Sequence, residues 1–176
     1  MCIRDSDNTL ELIAELKDSK TVLVSYHAND PSAGMSTNKD LTRFKLFLCD
    51  TGLFTTLMFK DKDFTENIIY EKLLNDKLGT NLGYLYENVV AQLLTCNGNE
   101  LFYYTFFNES SRHNYEIDFL IAKKNKVCPI EVKSSGYKTH KSLDEFSIKF
   151  SNRILQKYLV YTCLLYTSPS PRDGAT

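Results

Sequence analysis

The chain predicts an α/β protein. Three observations carry this. A run of helical periodicity at 82–98 gives way to three β-rich runs at 101–107, 115–122 and 126–133. A second helical run follows at 140–152, and a last apolar run at 155–162 reads as a strand. Helix, three strands, helix, strand is the order of a mixed sheet covered by helices.

The elements follow in chain order. Residues 8–18 repeat Leu10, Ile13, Ala14 and Leu16 as a short amphipathic helix, with Asn8 or Thr9 as its cap. Residues 21–27 read as a strand, 29–40 as a loop rich in turn residues, and 43–50 as a second strand. An apolar helix is expected over 51–59, polar punctuation at 60–63 and a short helix over 66–78. The helix at 82–98 carries Leu82, Tyr86, Val89 and Leu93 on one stripe and stops at Gly98. The aromatic run at 101–107 is too continuous for an exposed face and reads as a buried strand. In the helix at 140–152, Leu143, Phe146, Ile148 and Phe150 fall partly on one side.

Composition narrows the function. With 43% hydrophobic and 24% charged residues the chain is globular. A net charge of -1 gives no global nucleic-acid signal, so any DNA contact rests on a local patch. No apolar run approaches the roughly 18 residues of a membrane span, so no membrane partner is expected. The termini, "MCIRDS" and "CLLYTSPSPRDGAT", resemble translations of a sequencing adapter in its two orientations. Residues 1–6 and 163–176 are therefore expected to be adapter-derived, and the rest a piece of a longer protein. Cys49, Cys96 and Cys128 then remain, without zinc-ligand spacing, as thiols of a reducing cytoplasm. His27, His113 and His140 are read as surface or loop residues.

The stretch "EIDFLIAKKNKVCPIEVKSS" (116–135) carries the chemistry. Ile117, Phe119 and Ile121 are expected on one face of the first strand, and Cys128, Ile130 and Val132 on one face of the second. With a two-residue turn at Lys124–Asn125, Asp118 lies opposite Glu131 and Glu116 opposite Lys133; centring the turn on Asn125–Lys126 pairs Asp118 with Lys133 instead. Either register puts Asp118, Glu131 and Lys133 on one face, about 5–8 Å apart at Cβ. Carboxylates that close repel unless a cation sits between them, and hard oxygen ligands suit Mg²⁺ or Mn²⁺. The same spacing also describes an exposed polar face on which Lys133 offsets the two acids. Glu87 sits at the edge of its helix's apolar stripe, flanked one turn away by Gly83 and Ala91, with room either to lean over the sheet or, as an ordinary boundary glutamate, to snorkel to water.

A helix Glu, a strand Asp and an E-x-K in the next strand resemble the PD-(D/E)XK nuclease superfamily. More closely, "YLYENVVAQLL", "LFYY", "EIDFLIA", "PIEVKSS" and "KSLDEF" resemble the C-terminal domain of unknown function of prokaryotic AAA-type ATP-binding proteins. The likeness extends upstream through "FKLFLCDTGLF" and 10–27. It implies a restriction-endonuclease-like core over 61–162, preceded by a partial winged-helix and connecting segment over 7–60. It implies a site of Glu87, Asp118, Glu131 and Lys133, in which Asp118 and Glu131 bind Mg²⁺ or Mn²⁺ and Lys133 orients the attacking water. "GYKTHKS" (136–142) supplies the best basic patch, with Lys138 and Lys141 as expected DNA-phosphate contacts. The chain has no G-x-x-x-x-G-K-[ST] loop, so ATP is expected only through an N-terminal ATPase domain of the full-length protein. Two functions are compatible with these residues: a Mg²⁺-dependent DNA phosphodiesterase, and a non-catalytic DNA- or protein-binding module of an ATPase.

Overall fold

A computed structural model describes residues 4–59, 81–108, 112–134 and 138–161. The expected helix over 66–78, the punctuation at 60–63 and the tail at 163–176 lie outside them. The elements are α1 (Arg4–Asp18), β1 (Val22–Ala28), β2 (Lys39–Leu48), α2 (Thr51–Phe59), α3 (Asn81–Cys96), β3 (Leu101–Asn108), β4 (His113–Lys123), β5 (Lys126–Lys133), α4 (Lys141–Lys149) and β6 (Tyr158–Tyr161). The strands form one mixed sheet in the order β2-β1-β3-β4-β5-β6. The α/β class follows. Both strands from 7–60 join this sheet, β1 lying parallel to β3 and antiparallel to β2. The first helix starts at Arg4, ahead of the expected residue 8. Among the described residues no helix is long and apolar enough to cross a membrane.

The β4–β5 hairpin turns at Lys124–Asn125, and its ladder runs from Lys123↔Lys126 to Phe119↔Ile130. This is the first of the two turns the sequence allowed. A bulge on the other side of β4 changes its faces. Phe102 pairs with Leu120 but Tyr104 with Ile117, so Asp118 and Phe119 together stand opposite Tyr103. Ile117 and Phe119, expected on one face, are therefore split. Ile117 joins Phe102, Leu120, Val127, Leu143 and Phe146 in the core beneath α4. Phe119 joins Phe47, Leu101, Ile130 and Val132 beneath Val90 and Ala91 of α3.

Two further stripes are rotated from expectation. On α3 the buried side chains are Leu82, Leu85, Asn88, Val90 and Ala91, whereas Leu93 is 58% exposed. The cause is Asn88, whose amide clasps the end of β2: Leu48 N donates to its Oδ1 at 2.7 Å, and its Nδ2 donates to Leu48 O at 3.1 Å. Gln92 Nε2 adds a second donor to Leu48 O at 3.0 Å. Gly98, at φ +78°, ends the helix in the left-handed conformation, with Asn99 N bonding back to Leu94 O at 3.1 Å. On α4, Leu143 and Phe146 are buried and Phe150 is partly buried one turn on, while Ile148 points out of phase and is 74% exposed. The helix closes at Lys149, where Phe150 N bonds Phe146 O, and a 3-10 turn follows.

Candidate functional site at the seam of β4 and β5

Asp118 sits on the bulge. Its Oδ2 accepts the Val132 N–H at 2.7 Å, a bond across the β4–β5 seam made by a side chain rather than a carbonyl. Around it, on the face covered by α3, lie Glu87 of α3, Glu116 two residues earlier on β4, and Lys45 of β2. Lys45 Nζ bonds Glu116 Oε1 at 2.5 Å and lies 5.1 Å from the Tyr103 ring centroid.

Glu131 and Lys133 are placed differently. Ile130 and Val132 pack under α3, so the pleat turns Glu131 to the α4 side. There its carboxylate is buried. Oε2 accepts the Leu143 N–H at 3.2 Å in the first turn of α4, and Oε1 meets Lys133 Nζ at 2.7 Å. The expectation that Asp118, Glu131 and Lys133 share one face therefore needs correction. The register is as expected, but the bulge carries Asp118 toward Glu87 and Lys45. Lys133 links the two groups, because its charge also reaches Glu87.

The electrostatics follow from burial. Burial pushes the Asp118 carboxyl up to about 7 against the Val132 N–H bond; Glu87 and Glu116 add to the rise and Lys45 opposes it. Burial likewise raises Glu87, opposed by Lys45 and Lys133 and reinforced by Glu116. For Lys45, burial alone would lower the ammonium, but the Glu116 bond and the charges of Glu116, Glu87 and Asp118 hold it above its ordinary value. Carboxylate oxygens are suitable donors for Mg²⁺ or Mn²⁺. Their placement does not fit such an ion, however. Among the described residues no three His, Cys, Asp or Glu side chains gather in a metal-holding group. Asp118 and Glu131 engage different partners on the two sides of the sheet.

Lys138 precedes α4 and Lys141 opens it; both are exposed, and neither makes an ion pair among the described residues. His140 pairs with Asp144 at 3.4 Å, and Lys157 with the same carboxylate at 3.2 Å. His27 is buried, not a surface residue. Thr105 N donates to its Nε2 at 3.3 Å, and burial and then Arg43 lower its pKa. Sequence reasoning missed Lys45 as a site residue. The available signal was its parity: on β2 it shares a face with the buried Phe47, an unusual place for a lysine.

Residues 82–168 match the family model described as "Domain of unknown function (DUF4143)". The match takes in α3 through β6, and with them Glu87, Asp118, Glu131, Lys133, Lys138 and Lys141, and runs past Cys163 into the segment expected to be adapter-derived. No curated protein and no solved structure matches the chain.

Proposed function

We propose that the chain is a non-catalytic, nuclease-like module that binds DNA phosphates, from the C-terminal part of a prokaryotic AAA-type ATP-binding protein. The observation that carries this reading is charge compensation within the chain. Glu116 has Lys45 at 2.5 Å, Glu131 has Lys133 at 2.7 Å and the Leu143 N–H, and Asp118 has the Val132 N–H. Lys138 and Lys141, in contrast, project into solvent and supply phosphate contacts. The ATPase part of the full-length chain is the expected partner.

The phosphodiesterase reading has one observation in its favour. A buried carboxyl pushed to about 7 costs stability, and such groups concentrate at functional sites. One experiment separates the two. DNA binding and cleavage are measured with Mg²⁺ or Mn²⁺ for the wild type, Asp118→Ala and the double variant Lys138→Ala/Lys141→Ala. The module reading expects binding without cleavage. It also expects the double lysine variant to lower the salt slope of log affinity by about 2, from two lost phosphate contacts. Metal-dependent cleavage abolished by Asp118→Ala establishes the phosphodiesterase instead.

A further inference from the structure

We propose that the cavity beside the first strand binds a single-chain anionic amphiphile, free in solution, with its aliphatic chain inside and its charged head at Lys17 and Lys20. The inference goes beyond the DNA-binding reading. It uses none of that reading's residues and survives if DNA binding fails.

The sheet leaves this cavity open for a topological reason. β1 begins at Val22, but β3 begins only at Leu101, which pairs with Ser25. Val22, Leu23 and Val24 therefore pair with β2 on one side and have no strand partner on the other among the described residues. Asn99 and Glu100, which lead from α3 into β3, flank the gap without extending the sheet. What remains is a cavity of about 370 Å³. Val22, Leu23, Val24 and Leu101 make its walls apolar, and Tyr26 adds an aromatic ring. An apolar cavity of about 150 Å³ holds a benzene ring, so this one has room for a chain of roughly ten carbons. Its volume lies within the usual range of ligand sites.

The lining also carries two cations. Lys17, in the last turn of α1, and Lys20, in the turn that follows, border the cavity and are exposed. Neither makes an ion pair among the described residues. Glu100, the acid on the same lining, is engaged elsewhere. Lys39 Nζ lies 2.5 Å from its Oε1, and Ser36 Oγ donates to its Oε2 at 2.8 Å. Lys17 acts on Glu100 only through space. Lys20 holds φ +56° where α1 ends, with its own N bonding Lys17 O and Thr21 N bonding Leu16 O, both at 3.0 Å. Glycine is the usual residue at that position. A lysine there adds a charge beside the cavity that the turn itself does not need. The walls bind the chain by burial, and the two ammonium groups select an anionic head over a neutral one.

The test is calorimetric titration of the full 176-residue chain with decanoate, kept below its micelle-forming concentration. A single equivalent is expected to bind. Decanol, which keeps the chain and lacks the charge, should bind about tenfold or more weakly. The double variant Lys17→Met/Lys20→Gly should lose that preference, with decanol affinity unchanged. Glycine suits the left-handed turn, so Lys20→Gly keeps the fold. If the double variant does not fold, Lys20→Gly alone makes the comparison, and should weaken decanoate and not decanol. Three results overturn the proposal: no binding of decanoate, equal wild-type affinity for decanol and decanoate, or unchanged decanoate affinity in a folded lysine variant. Binding to phosphatidylglycerol vesicles without binding of free decanoate also overturns it, and assigns the lysines to a bilayer surface. A loss of DNA affinity in the variant, with no decanoate binding by the wild type, overturns it in favour of phosphate contact.

Discussion

Asp118 concentrates the site's tension in one carboxyl. Its pKa of about 7 stands above the ordinary 3.8, so the folded chain holds a proton that the unfolded chain releases. The contribution to stability is therefore present below about pH 4 and is lost as pH rises from about 4 to about 7. Asp118→Asn keeps an oxygen for the Val132 N–H and cannot ionise. Denaturant unfolding should find it more stable than wild type at pH 8, by as much as ~4 kcal/mol, with the two converging near pH 4. A constant difference across that range contradicts the assignment. Glu87, Asp118, Glu131 and Lys133 could each be named from local spacing. Glu116 and Lys45 could not be joined in the same way. They lie 71 positions apart in sequence, and what brings them together is a strand order that no local period encodes.

At the scale of elements, most strands and helices were legible because their apolar periods are strong. The period does not reveal which face wins when a polar residue has a private task. The stripe expected on α3 ran through Leu93. The helix instead turns Asn88 inward to close both hydrogen bonds of Leu48 at the end of β2, and Leu93 goes to solvent. Asn88→Ala should leave the Leu48 N–H unpaired in a half-buried place and cost about 1–2 kcal/mol in denaturant unfolding. A loss under about 0.5 kcal/mol would show that the clasp contributes nothing beyond an exposed contact. The bulge on β4 was likewise invisible in sequence. "YEIDFLIA" alternates well enough to read as a regular strand, and only pairing with Tyr103 reveals the extra residue. That single insertion divides the expected four-residue site into two groups.

At the scale of the whole molecule, the sheet separates two chemistries. One face, under α3, holds Asp118, Glu116 and Glu87 with Lys45; the other, under α4, holds Glu131 with Lys133. The tertiary arrangement gives Glu116 and Glu131 lysine partners within the chain. Those two ion pairs are the ground on which the module reading rests. The most direct measurement is anomalous diffraction at the manganese edge from crystals of the chain soaked in Mn²⁺. The account predicts no anomalous peak within coordination distance of Asp118, Glu116, Glu87 or Glu131. A peak coordinated jointly by Asp118 and Glu131 would contradict it.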